Sequence, residues 1–426
     1  MNKKLKLWTG IGTYALVSVG ALSPALSEST AEDYRSLPDD QVSTLLSQSD
    51  ACVAIPVEGG GEGGGEGDPM AGGGEGGEGG EGGESAFTTY VYLPPDQRFQ
   101  DREILTDFVD EVLVPNYELL TAQTGDLAEA IETFTDNPTE ANLQAAREVW
   151  IESRIPWEES EAFAFGPAAF LGLDAELDDW PLNEADVIAI LESGDPLSPE
   201  YVDGLLTSQK GFHAIGYLLF GLDNDKTLAD FTERDLEYLT AIGPVLDQTA
   251  NELLASWTEG VQGYPAFRSE FVTAGEGSEI YPTVQAAGEE ITQGIIGILD
   301  ELGNVKIGEA MDAQNPFLLE SRFSQSSLDD FVANVQSAQN AYFGDFAAAG
   351  TEGRGLTDFV AAIDPALDAE IREKFDVAMA NVQAIPGPVE KTLCDRAAQP
   401  SITAAQESVL ELFDIFRLQV LPLVQQ

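Results

Sequence analysis

His213 is the only histidine among 426 residues, and it stands in GFHAIGYLLFG, residues 211–221. On a helix, His213 and residue 216 lie three apart and share a face, the step at which a histidine and an acid can hold one metal ion. Residue 216 is glycine, so that second ligand is missing. A histidine alone in an apolar helix also suits a hydrogen-bonded core position, because useful metal sites need several ligands. Two other stretches supply carboxylates. SRIPWEESEAFAFGP, residues 153–167, sets Glu158, Glu159 and Glu161 beside Trp157 and two phenylalanines. In a partly dry cleft such acids gain proton affinity or pair with a cation. The same residues also suit a capped, acid-rich first helical turn. GLDAELDDWPLN, residues 172–183, offers Asp174, Glu176, Asp178 and Asp179 beside Trp180. Oxygen-rich loops suit hard cations, although this spacing matches no EF-hand and a solvated loop accounts for it equally.

The elements that must position these groups read as helices. Residues 102–134 repeat apolar side chains at three- and four-residue steps, with Pro115 expected to kink or divide the run. Residues 137–157 form a second helix, started at Pro138-Thr139 and expected to stop at Pro156. Further amphipathic segments cover 232–260, 327–344 (capped by Ser327, ended by Gly344), 367–385 and 404–424. Strand alternation is confined to FTTYVYL, residues 87–93. The expected class is all-α, two helical bundles at 87–305 and 306–426, with loop residues near Gly303 to Asn315 between them.

The charge balance narrows the partners. Asp and Glu number 75 against 20 Lys and Arg, a formal net charge of −55. Such a field repels nucleic acid and anionic membranes and attracts cations. Residues 1–27 read as an export signal: Lys3, Lys4 and Lys6, an apolar stretch, and a small-x-small site at Ala25-Leu26-Ser27. An acidic segment, 28–57, leads to 58–86, which is almost wholly Gly and Glu and is expected to be a flexible linker. The two cysteines, Cys52 and Cys394, could form one disulfide in an oxidising compartment. The expected location is the periplasm or cell envelope, with no membrane span after signal removal.

Four segments, in order, resemble the imelysin family. GFHAIGYLLFG resembles its GxHxxE signature. AREVWIESRIPWEESEAFAFGP resembles a Trp-bearing helix leading to R-x-P-W/Y-x-x-[ST]-E-A-F. LDDWPLN resembles a D-x-WP segment, and LESRFSQSSLDDF one of ESRFS type. The likeness runs from about residue 101 to the C-terminus. It implies two helical bundles with a site between them, in a family named as peptidases and similar to proteins tied to bacterial iron uptake. Residue by residue it carries over to Arg154, Trp157, Glu161, Asp179, Trp180, Gly211, His213, Arg322 and Ser324. The departure is Gly216, where the signature has glutamate.

A hydrolytic zinc site takes about three protein ligands and a general base. With one histidine and no HExxH, the remaining ligands must be carboxylates, which suit iron, Ca²⁺ or Mg²⁺ better. No Ser-His-Asp or Cys-His arrangement is evident. The resulting expectation is a non-catalytic binding protein of the envelope, linked to iron uptake. It would take iron or another di- or trivalent cation on His213 and Glu161. An anionic small ligand is the other candidate, held in a cleft lined by Arg154, Trp157, Glu161, His213, Arg322 and Ser324. A metallopeptidase and a structural protein with a decayed site are the alternatives, and other envelope proteins the further partners.

Overall fold

The computed structural model describes residues 92–426. The signal at 1–27, the acidic segment 28–57, the Gly/Glu stretch 58–86, most of the 87–93 segment, and Cys52 with its bridge to Cys394 lie outside the described residues.

Helices dominate, as the apolar periodicity requires. The first group comprises α1 (Val114–Asp136), α2 (Glu140–Glu158), the short α3 (Leu173–Asp178), α4 (Gly211–Phe220) and α5 (Glu233–Thr258). α5 lies along α1, and α1 along α2. The second group is a four-helix arrangement of α6 (Val284–Asp300), α7 (Ser327–Phe343), α8 (Pro365–Gln383) and α9 (Gln399–Ile415). The groups meet where α2 crosses α7, and where the turn 161–163 lies against α6 and α7. Among the described residues the only strands are a two-residue pair, β1 (Asp345–Phe346) and β2 (Thr351–Glu352). No helix there is long and apolar enough to cross a membrane.

Local chemistry explains the boundaries. Thr139 Oγ1 accepts from Asn142 N at 3.2 Å and starts α2. Thr232 and Asp235 exchange side-chain and backbone bonds in a capping box that starts α5. α7 ends at Gly344 in the left-handed region (φ 79°). Its first turn is not capped by Ser327, whose hydroxyl instead accepts from Ser321 N at 3.0 Å.

Three expectations change. Pro115 does not divide its helix, since a π turn at Phe108–Leu113 runs directly into α1. Pro156 does not stop α2, which continues to Glu158. A proline in the last turn forfeits only its own backbone bond, so the helix survives it there. Third, residues 303–313 are not loop. α6 passes into a π turn, Glu301–Glu309, and then into Ala310–Ala313.

Candidate functional site

The site lies where the two groups meet. α2 carries Arg154 and Glu158 at i and i+4, on the face that also buries Trp150 and Trp157. Arg154 is 1% exposed, yet it is a full cation. Its guanidinium bonds to Glu158 and Asp178, and lies 3.8 Å from Glu320 and 3.9 Å from Asp330. Asp178, the last residue of α3, accepts from Trp157 Nε1 at 2.7 Å. Across the cluster, Lys306 Nζ reaches Glu158 at 3.0 Å, Glu161 at 3.2 Å and Glu320 at 2.8 Å. Asn334, on α7, donates to Glu158 Oε2 at 2.8 Å.

His213 completes the cluster from α4. Its Nε2 lies 3.1 Å from Asp178 Oδ1 and 3.6 Å from Glu320 Oε1. Neither ring nitrogen has an aligned hydrogen bond, although the residue is 1% exposed. The Trp180 ring covers it at 4.7 Å between centroids. Gly211 makes this approach possible. Its φ is 77°, and a Cβ there would stand 2.4 Å from Leu177 O. Only glycine lets the start of α4 abut the end of α3, and so bring His213 beside Asp178.

Gly216 has a different role from a vacated ligand position. A Cβ there would sit 2.8 Å from Trp150 Cζ2. The signature glycine therefore faces the Trp150 ring, whose Nε1 donates to Phe212 O at 3.0 Å. The acids beside the histidine come instead from α3 and from the segment before α7.

Charge in the cluster does not balance. Glu158, Glu161, Asp178, Glu320 and Asp330 face Arg154 and Lys306, with His213 as a third cation when protonated. Buried carboxylates left over must hold protons or recruit cations. Burial pushes Glu161 and Asp330 well above the usual carboxylate range. Burial works against a charged His213, but Asp178 and Glu320 outweigh it and lift it to about 9. Burial opposes charge on Glu320 too; Lys306, His213 and Arg154 more than compensate and hold it below its ordinary value.

The raised groups set a pH dependence. Each binds protons more tightly folded than unfolded, so its stabilisation is complete below the unfolded value and fades as pH rises through the folded one. His213 loses its share between about 6.5 and 9. The protein in chelator should therefore melt several degrees higher at pH 5.5 than at pH 9, as scanning calorimetry would read. A melting point that rises with pH would contradict this charge assignment.

A cleft of about 590 Å³ opens onto the cluster. Its wall holds Glu161, Asp174, Asp178, Asp179, Glu301, Glu309 and Glu320 against one lysine, Lys306, with Trp180 and Phe317 beside them. Several sequence-predicted residues fall elsewhere. Arg154 and Trp157 are sealed behind the cleft and occupied with Asp178, so they cannot line it. Arg322 pairs with Glu184 and packs over Phe317 and Phe323. Ser324 bonds Ser321 O at 2.9 Å and Ser326 Oγ at 2.7 Å, away from the cluster. Asp179 stands on the wall but accepts from Thr207 Oγ1, while its neighbour Asp178 faces His213. His213 and Glu161 do not form one ligand set. The convergent sets are Asp178, His213 and Glu320, and separately Glu158, Glu161, Asp178 and Glu320. The arginines are engaged and the wall is acidic, a field that attracts cations more than anions.

Sequence reasoning missed Lys306, Glu320, Asp330 and Asn334. For three of them a signal existed: Glu320 is the glutamate of the ESRFS-type stretch. Asp330, Asn334 and Ser337 fall at i, i+4 and i+7 of α7, a polar stripe on its buried side.

The comparisons agree with this architecture. A family model described as Imelysin matches residues 113–416. The chain is 34% identical over 326 residues to "Iron-regulated protein A" of Synechococcus elongatus, covering 76% of this chain and 86% of that protein. A crystal structure from Parabacteroides distasonis, assigned as an iron-regulated protein A precursor, superposes with a TM-score of 0.70 at 25% identity, over 79% of this chain and 97% of the other. An imelysin-like protein from Psychrobacter arcticum shares the fold at a TM-score of 0.58 and 13% identity, over 76% of this chain and 94% of the other. The helical architecture, the extent of the family match and the 34% relative together place this chain in the imelysin family.

Proposed function

We propose that the cluster between the bundles is a metal-binding centre, and that the chain is an exported, non-catalytic imelysin-family protein that binds iron or a similar cation. The observation that carries this reading is His213. Both of its nitrogens lack an aligned hydrogen bond, and Nε2 faces Asp178 and Glu320. The spacings of 3.1 and 3.6 Å are close to the roughly 3.0–3.4 Å expected between ligands on bonds of about 2.1 Å. One imidazole among carboxylates is a donor set for Fe²⁺, Fe³⁺ or Mn²⁺. The acidic wall favours cation entry, and the charge deficit favours cation retention. The relative named as an iron-regulated protein supports iron among these metals. The sequence features of 1–27 support export.

The metallopeptidase reading is weaker on geometry. A general base must be free to take a proton from a bound water. Here Glu158, an acid beside the set of Asp178, His213 and Glu320 and not part of it, is paired with both Arg154 and Lys306. Titration calorimetry with Fe²⁺ under anaerobic conditions, Mn²⁺ and Zn²⁺, beside a casein-cleavage assay, separates the two. His213→Ala should lower metal affinity by at least the ~10–100-fold that loss of an outer-shell partner alone produces. Unchanged affinity would remove His213 from the site. Chelator-sensitive proteolysis that disappears in this variant would favour the peptidase.

A further inference from the structure

We infer that Lys306 is a built-in counter-ion standing where a second metal ion would stand, and that it restricts the centre to one metal. This rests on the metal-binding reading above. Its starting point is that the two convergent ligand sets share Asp178 and Glu320. Two sets with two carboxylates in common have the layout of a carboxylate-bridged pair of cation positions, a type of centre that helical bundles support. The positions are filled differently. The one beside His213 has a ligand nitrogen with no aligned hydrogen bond, although Arg154 also bonds its Asp178 Oδ1. The other, formed by Glu158, Glu161, Asp178 and Glu320, has an ammonium in it: Lys306 Nζ lies 2.8–3.2 Å from three of those four acids.

How Lys306 gets there argues against an incidental contact. It is 5% exposed, although a lysine side chain is rarely buried at all. It comes from the π turn Glu301–Glu309 that interrupts an otherwise regular helical run. Wider turns of this kind shift side chains around the helix axis and gather at functional sites. An ammonium supplies one positive charge with N–O contacts near 3 Å. A divalent ion supplies two, with bonds near 2.1 Å. The lysine therefore satisfies those carboxylates without drawing them into a coordination shell, and its tether keeps the position filled.

Removing the ammonium should open the position. Lys306→Met keeps an unbranched apolar stem and deletes the charge, leaving acids that must take up protons or metal. The test is the number of Mn²⁺ ions retained after equilibrium dialysis, by elemental analysis, with electron paramagnetic resonance to detect spin coupling between neighbouring ions. The expected result is one Mn²⁺ in the natural protein and two, coupled, in Lys306→Met. One ion in both proteins would overturn the inference and leave the metal-binding reading standing. No ion in the natural protein would overturn that reading instead. Lys306→Arg, which keeps the charge, should stay at one; two ions there would also overturn the inference. Should Lys306→Met be unfolded in chelator, its circular dichroism is followed against added Mn²⁺. Recovery of helix is the expected outcome, and no recovery counts against the proposal.

Discussion

Arg154→Met is expected to cost about 3–5 kcal/mol of folding stability, the range for breaking a buried ion pair by removing one partner. Among the described residues the guanidinium is the only cation in contact with Asp178 apart from His213, and it also bonds Glu158. Both carboxylates are out of water, with side-chain exposures of 3% and 0%. Methionine fills much of the volume, so the loss is one of charge more than of packing. Urea denaturation in chelator at pH 7 would read it. Two further results identify the cause. The deficit should shrink at pH 5, where neighbouring acids neutralise themselves by protonation. Adding Asp178→Asn to Arg154→Met should recover part of the stability, because replacing both partners removes the orphaned charge. A single-variant cost under about 1 kcal/mol would mean that water or another cation reaches these acids.

That prediction turns on residues whose roles were unevenly legible in the sequence. The helices were plain, because three- and four-residue periodicity reports directly which face is buried. Arg154, Trp157, Glu161 and His213 stood inside motifs, and all four are at or behind the cluster. Their duties were not legible. Arg154 resembles a ligand-binding arginine until its partners are known, and its partners are set by tertiary contact. Glu158 was obscured by Pro156, since a proline usually ends a helix and only the surviving last turn puts Glu158 at i+4 from Arg154. Asp178 and Asp179 are indistinguishable by type. The end of α3 sends one to His213 and the other to Thr207. Lys306 was least accessible, because a π turn has no composition signature and breaks the period that would have flagged a helix.

Gly216→Glu is expected to destabilise the protein severely and to leave metal affinity unimproved. From the motif alone the change restores a missing ligand. In the structure, the bond from Cα points at the Trp150 ring, with Cβ 2.8 Å from Cζ2 and 3.3 Å from Cε2. Trp150 is fully buried, held by its bond to Phe212 O and by edge contact with Phe220 at 5.4 Å between centroids. It cannot swing away without losing those contacts. Overpacking of this kind costs about 1–3 kcal/mol. A buried carboxylate without a partner adds several more, or holds its proton instead. The better helix propensity of a non-glycine residue offsets about 1 kcal/mol at most. The expected sum is several kcal/mol, read by urea denaturation. Gly216→Ala isolates the steric part and should cost about 0–2 kcal/mol net. If Gly216→Glu folded normally and bound Mn²⁺ more tightly than the natural protein, α4 would have to turn residue 216 toward the cluster. The ligand set built on Asp178 and Glu320 would then be the wrong one. If the alanine is mildly and the glutamate strongly destabilising, with affinity unchanged or lower, Gly216 is a packing glycine. The acids beside His213 are then those that α3 and the segment before α7 deliver.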